Sequence, residues 1–438
     1  MNATLLERPG KLRGDAMPIV RKNGRNYFDT GRGPNKLLPV VGGGAVPNVS
    51  NPPNAQATGS AGRSASALPF VQSSSDLQQS FGTTQTIAGS AWSGVTPIGP
   101  IDIVALGYLR GIWIEVAATG GSGTATVAFN DDAPFNVIQT GQLADSVNAP
   151  FVGPITGWDI YAMTKYGGYS HHDPKLDHDF NSGTAGADAS GNFFFRIFLP
   201  AEVIRRIGLG ALPNQNSAAT NKLQLFIADP SAVYSTRPTD LPTLTITTYL
   251  DAWNNVALHD VAGNMLTQTP PGGKLRQYWT ESTFNAIPSG QYELQLVRKG
   301  YYFRNLIFVC RNAEGVRSDS VFPNPVQWTV DGNTRTFIYP NLLRTQMQDW
   351  YELSGDVSVS GADFSGSLDA GVYVLPFNND LDGNAWRGNE LRTKWMASLK
   401  ASNYWFQGTW GGGSAVVITN DVAPDPSASV WLPEPLLL

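Results

Sequence analysis

The sequence is poor in cysteine and poor in charge. Of 438 residues one is a cysteine, Cys310, which excludes an internal disulfide framework and a Cys-rich zinc site and fits assembly in a reducing compartment. Charged residues make up 15%, against about 25% in an ordinary soluble domain. The formal net charge of −5 argues against a mainly nucleic-acid-binding surface. No apolar run approaches the roughly 18 residues of a membrane-spanning helix. The first residues carry charges without the apolar stretch and small-residue cleavage site of a secretory signal. There is no G-x-S-x-G elbow, no P-loop, no H-E-x-x-H and no G-x-G-x-x-G, so no catalytic pattern is present and the chain reads as a non-enzyme.

What is abundant points elsewhere. The chain has 46 Gly and 30 Pro, which disfavours long helices. It also has 12 Trp, 15 Tyr and 20 Phe, and is 42% hydrophobic, enough for more than one core. Low charge with many aromatics implies surface buried against other chains. A large β-sandwich core is the plainer explanation, and both can hold.

Charge is unevenly placed. Residues 1–36 carry Arg8, Lys11, Arg13, Arg21, Lys22, Arg25, Arg32 and Lys36 against Glu7, Asp15 and Asp29, a net of +5 that leaves −10 for the remainder. This arm is punctuated by Gly and Pro without helical or alternating periodicity, and is expected to be extended or disordered unless held. Residues 37–100 are Gly/Ser/Pro-rich with apolar islands, a lead-in expected to drape over neighbouring surface. From about 101 the pattern turns to strands: Leu106–Val116, Phe193–Leu199, Leu223–Ile227 and Leu244–Tyr249. Pro200 is positioned to open a short helix with Val203, Ile204 and Ile207 on one face.

A second series begins near 275, with strands at Tyr292–Val297, Tyr301–Val309, Val326–Val330, Asn333–Tyr339, Gly371–Leu375, Tyr404–Phe406 and Ala415–Ile418. Asp331-Gly332 is the strongest short hairpin signal, because a type I′ turn needs positive φ at both positions. Asn341 is placed to cap a helix over 341–353, and Leu391, Trp395 and Leu399 mark another short helix. The segment Gly107–Val116 aligns with Gly300–Val309 at four identities in ten, and Phe198-Leu199-Pro200 aligns with Val374-Leu375-Pro376. The implied organisation is an arm and lead-in over 1–100 and two copies of one β unit over 101–260 and 261–438.

Short strands between Gly/Pro turns imply an all-β fold, and about eight strand slots per copy match two tandem eight-stranded jelly rolls with short inserted helices and an extended N-terminal arm. With the segments Ala133–Ile138, Gly157–Tyr161, Lys165–Gly167 and Gly371–Phe377, this pattern resembles the double jelly-roll major capsid proteins, most nearly those of tectivirus-like, membrane-containing icosahedral phages of the PRD1-adenovirus lineage. The resemblance implies a homotrimer with six lobes that tiles a capsid lattice, with penton and minor capsid proteins as partners. It also implies assembly in the host cytoplasm and a location in the virion capsid. The basic arm would lie on the inner side, against internal membrane lipids, the lattice or the genome.

Two clusters are candidate metal ligands. His171, His172, Asp173, Asp177 and His178 hold three of the four histidines between Gly-rich flanks that indicate an exposed loop. Asn378, Asp380 and Asp382, followed by Gly383, resemble the start of a calcium loop, but the closing position holds Asn389 and Glu390 falls one late. The plain readings are a surface loop and an Asx-rich turn, so no cofactor is required and calcium or another divalent ion is the only one indicated. Loops 167–192 and 355–369 are expected to point outward as decoration. Cys310, ending an apolar run, reads as a buried small hydrophobe. The rivals are a carbohydrate-binding or glycoside-cleaving β-sandwich, whose carboxylate pair is set by spatial rather than sequence spacing, and a trimeric phage spike or receptor-binding protein.

Overall fold

The computed structural model describes residues 76–123, 126–169, 173–182, 190–204, 208–254, 275–353, 366–377, 395–398 and 403–424, together with strands at 19–22, 25–29, 37–39 and 355–356. The chain divides into two compact units, one of 1–68 with 259–266, the other of 69–258 with 267–438.

In the first unit, β1 (Ile19–Lys22), β2 (Arg25–Asp29) and β3 (Leu37–Pro39) form an antiparallel meander. The arm, expected to be extended or disordered unless held, is extended and paired here, at Lys22↔Arg25 and Tyr27↔Pro39 among others.

The second unit begins with β4 (Asp76–Ser80), β5 (Gln85–Ile87) and β6 (Thr96–Asp102). It continues with β7 (Tyr108–Thr119), β8 (Ile138–Ala144) and β9 (Pro150–Ile155). Helix α1 (Gly157–Tyr166) follows, then β10 (Phe193–Pro200), β11 (Lys222–Ile227) and β12 (Thr243–Trp253). The strands pair into two sheets. One runs β4/β5–β12–β7–β10 and the other β6–β11–β8–β9. Strands β4 and β5 share one edge of β12, so each sheet is four strands wide, which is the jelly-roll arrangement. The roll therefore takes in residues from 76 onward that composition assigned to the lead-in. Segments such as Thr96-Pro-Ile-Gly-Pro-Ile-Asp102 pair in the sheet without alternating hydrophobicity.

The same plan repeats with fewer, longer strands. These are β13 (Leu275–Gln295), β14 (Tyr302–Arg311), β15 (Val326–Val330) and β16 (Asn333–Ile338), then helix α2 (Pro340–Tyr351), β17 (Val372–Pro376) and β18 (Tyr404–Pro424). Strands β13 and β18 pair along nearly their whole length and serve both sheets of the roll. Their 275–284 and 413–424 halves join β14 and β17, and their 289–295 and 404–411 halves join β15 and β16. The bend between the halves falls at the register break between Phe284 and Ile287, opposite Gly412 and Gly413, both at positive φ. Strands β7 and β14, and likewise β10 and β17, hold equivalent places in the two rolls, as the internal alignments imply.

Asp331 and Gly332 form the expected hairpin turn, with φ of 50° and 79°. Helix α2 matches the 341–353 expectation, although Pro340 occupies its first turn and Tyr339, not Asn341, is the cap. Two expected helices have no helical counterpart among the described residues. After Pro200 these make a bridge between Ile204 and Leu209, and Ile207 lies outside them. Met396-Ala397 is a short strand paired with Tyr302-Phe303, while Leu391 and Leu399 lie outside the described residues. In both rolls the helix precedes the strand ending in Leu-Pro. The first of them, α1, shows no polar face because all ten of its residues are buried.

One apolar cluster runs through both rolls, from Phe81 and Ile112 to Phe406 and Ile418. The rolls also share a sheet, since β9 pairs in parallel with β13 at Val152↔Trp279. Cys310 is fully buried, and burial raises its thiol far above the ordinary range.

Candidate functional site

The densest buried chemistry lies where α1 meets the second roll. Thr156 caps α1, its Oγ1 accepting from the Asp159 N–H at 3.2 Å. The helix then carries Tyr161, Lys165 and Tyr166 inward. Lys165 Nζ lies 2.8 Å from Asp173 Oδ2 and 2.8 Å from Asp369 Oδ2, and donates to the Ser367 carbonyl at 2.6 Å. Asp369 also accepts from Tyr166 Oη at 2.8 Å and Tyr161 Oη at 3.1 Å, with Lys175 Nζ at 3.4 Å. Asp173 takes the backbone N–H of Lys175 at 2.9 Å and of Gly366 at 3.2 Å. Lys165, Asp173 and Asp369 are all buried.

The electrostatics are those of a closed ion-pair cluster. Burial alone would raise the Asp369 carboxyl, but Lys165, Lys175 and Arg317 overcome it and hold it far below the ordinary range. Burial likewise opposes the charge on Lys165, and Asp369 and Asp173 outweigh it and raise the ammonium. The cluster therefore ties α1 to the chain around Asp173 and Asp369 through mutually committed charges.

A second junction lies beside it. Arg304 Nη1 donates to Tyr169 Oη at 2.5 Å and to Asn420 Oδ1 at 2.7 Å. Tyr169 Oη donates to Gln277 Oε1 at 2.6 Å, and Gln277 Nε2 to the Glu202 carbonyl at 2.6 Å. Glu202 in turn pairs with Arg110 at 3.0 Å. Side chains from β7, from the chain after α1 and β10, and from β13, β14 and β18 meet in this one network.

The cleft over the first sheet has a volume of about 880 Å³ and is lined by Trp113, Glu115, Asp177, His178, Arg196 and Tyr249 among others. Its charges are mutually committed. Arg196 reaches Glu115 at 2.7 Å, Asp177 at 3.0 Å and Asp179 at 3.0 Å.

Of the first metal candidate, Asp177 and His178 come together with Asp179, their ligand atoms within 4.8 Å of one another. Arg196 holds the same carboxylates, placing a guanidinium where a cation would compete. Asp173 is not on an exposed loop: it is buried against Lys165. His171, His172, Asn378, Asp380 and Asp382 lie outside the described residues. The decoration expected of loops 167–192 and 355–369 is corrected at Asp173 and Asp369, which are buried; 170–172, 183–189 and 357–365 lie outside the described residues. Of the basic arm, Arg21, Lys22 and Arg25 sit in β1 and β2; Arg8, Lys11, Arg13, Arg32 and Lys36 lie outside the described residues.

No family model matches the sequence, and no curated protein does. Solved structures do match. The major capsid protein of STIV is 12% identical with a TM-score of 0.52, over 80% of this chain and 97% of that one. A chain in the atomic structure of Sulfolobus Turreted Icosahedral Virus is 13% identical with a TM-score of 0.53, over 81% and 92%. The major capsid protein P2 of bacteriophage PM2 is 9% identical with a TM-score of 0.43, over 80% and 97%. The chain thus has the double jelly-roll fold found in major capsid proteins.

Proposed function

We propose that the chain is a major capsid protein, a structural subunit rather than an enzyme. Three copies form a six-lobed trimer that tiles an icosahedral shell around an internal membrane and genome. The observation that carries this is two complete jelly rolls in one chain, joined by a shared sheet and buried polar junctions. Each subunit then contributes two lobes held as one block, and three such blocks have near-sixfold outlines suited to a hexagonal lattice. Heterologous contacts close the ring. Low charge and plentiful aromatics suit surfaces that are buried on assembly.

The rival sugar-cleaving reading needs a carboxylic acid and a carboxylate open to substrate. In the 880 Å³ cleft both Glu115 and Asp177 are bound by Arg196, so neither is available. The spike reading has no counterpart in the doubled roll.

The partners that follow are further copies of the chain, then penton and minor capsid proteins at the vertices, in a virion assembled in the host cytoplasm. The arm of net +5 faces inward to anionic headgroups, where each Lys or Arg contributes about 1 kcal/mol, with genome contact as the other outcome. Light scattering behind size exclusion tests both parts. The full chain should run at three times 47.1 kDa and resist dilution, and a stable monomer would contradict the reading. Removing residues 1–36 should leave the count of three subunits unchanged while abolishing sedimentation with anionic vesicles. Equal sedimentation of the truncated chain would refute the arm's role.

A further inference from the structure

A second pair of acidic groups meets at the seam between the rolls, and nothing in the ion-pair cluster uses it. Asp159 lies in the first turn of α1 and is 2% exposed. Glu281 lies on β13, half-buried, and Thr156 donates to both carboxylates. The donors around them are unequal. Glu281 Oε2 accepts from the Thr156 N–H at 3.3 Å and Oε1 from Thr283 Oγ1 at 3.3 Å. Asp159 Oδ2 accepts from Thr156 Oγ1 at 2.7 Å. Asp159 Oδ1 is buried with no donor. Two carboxylates gathered on one threonine, one of them with a buried undonated oxygen, is a costly arrangement, and one proton between them resolves it by turning an acceptor into a donor.

One cation offsets the pair only in part. Arg311 on β14 draws both carboxyls down, and it is shared with Asp132 at 2.6 Å. Arg317 lies over the Trp158 ring at 4.5 Å and is bound to Asp132 at 2.8 Å. Asp132 itself adds negative charge. From α1's own side and from β13 the neighbours are the hydroxyls of Thr156 and Thr283.

We propose that Asp159 and Glu281 share one proton and act as a pH-sensitive latch between α1 and β13. With the proton in place the carboxyl groups hold each other and the two rolls stay clamped. Its loss sets two buried anions against each other and loosens the helix from the strand. Burial and then the charge of Glu281 push Asp159 up to about 7, and burial raises Glu281 as well. The sign follows: a carboxyl whose folded value lies above its unfolded one stabilises fully below about pH 4, and that stability is lost as pH rises through about 7. The latch is closed in acid and open in base. It belongs to the single chain and does not depend on assembly.

The test is the thermal midpoint of the full chain from pH 5 to 8.5, for the native protein and for Asp159→Asn. The amide of Asn donates to Glu281 without titrating. The native midpoint should fall by roughly 4 °C more than the variant's over this range. Asp421, pushed up to about 6 by burial, titrates in both proteins and cancels in the difference. Infrared spectra of the native protein at pH 6 should contain a protonated-carboxyl band that Asp159→Asn removes. Amide exchange across 157–166, corrected for its intrinsic pH dependence, should speed up above pH 7.5 in the native chain alone. Parallel midpoint profiles together with no band lost in the variant would overturn the proposal. If Asp159→Asn does not fold, Glu281→Gln read by the same band and profiles decides it.

Discussion

Lys165→Met should destabilise the protein by about 3–5 kcal/mol, the range for removing one partner of a buried ion pair. The ammonium is the common partner of Asp173 and Asp369, each at 2.8 Å. Methionine fills similar space, so the loss is electrostatic rather than a cavity. Asp369 keeps Lys175 and two tyrosine hydroxyls, and Asp173 keeps two backbone N–H groups. The variant should therefore fold, with a lower urea midpoint. The pH dependence separates this from a packing defect. Lys165 helps hold Asp369 far below its ordinary value, and that contribution is present above the unfolded carboxyl pKa and lost as pH falls through the folded one. The gap between native and variant should thus hold from pH 7 down to about 4 and narrow only below that, as Asp369 takes up its proton. A gap below about 1 kcal/mol at pH 7, the value of an exposed pair, would show that the cluster does not join the rolls.

Trp279→Ala should cost about 3–5 kcal/mol, the range for an aromatic-to-alanine change in a core. Trp279 is fully buried, sits at the parallel β9–β13 pairing opposite Val152, and packs edge-on against Tyr169 with ring centroids 6.2 Å apart. Its indole Nε1 has no hydrogen-bond partner, so nothing polar is lost with it. That yields a contrast: Trp279→Phe removes the unpaired N–H, keeps an aromatic ring, and should cost about 1 kcal/mol or less. Equal urea midpoints for the alanine and phenylalanine variants would contradict the packing account. Because the residue lies on the seam, the alanine variant should also lose assembly before it loses its strands.

How much of this was legible before the structure depended on the range of the interaction. Local signals carried well. Asp331-Gly332 formed its turn because positive φ at both positions is a property of the dipeptide itself. The alignment of 107–116 with 300–309 held because equivalent strands bury equivalent faces. Helix α1 was missed because burial on every side erases the polar stripe on which periodicity depends, leaving only the Thr156–Asp159 cap as a trace. Strands β4 to β6 were missed for the opposite reason: their pairing supplies what their composition does not. The buried cluster was not legible at all. Lys165 and Asp369 lie 204 residues apart, and the Gly/Ser/Asp-rich loops that deliver Asp173 and Asp369 have the composition of solvent-facing segments. Only the tertiary fold turns those two aspartates inward.

The central claim is that the chain builds a shell. Negative-stain imaging of the purified full chain tests it most directly. The account predicts squat particles with a six-lobed outline that order into hexagonal sheets or closed shells as concentration rises. Elongated rods would point to a spike, and single two-lobed particles that never associate would contradict the account outright.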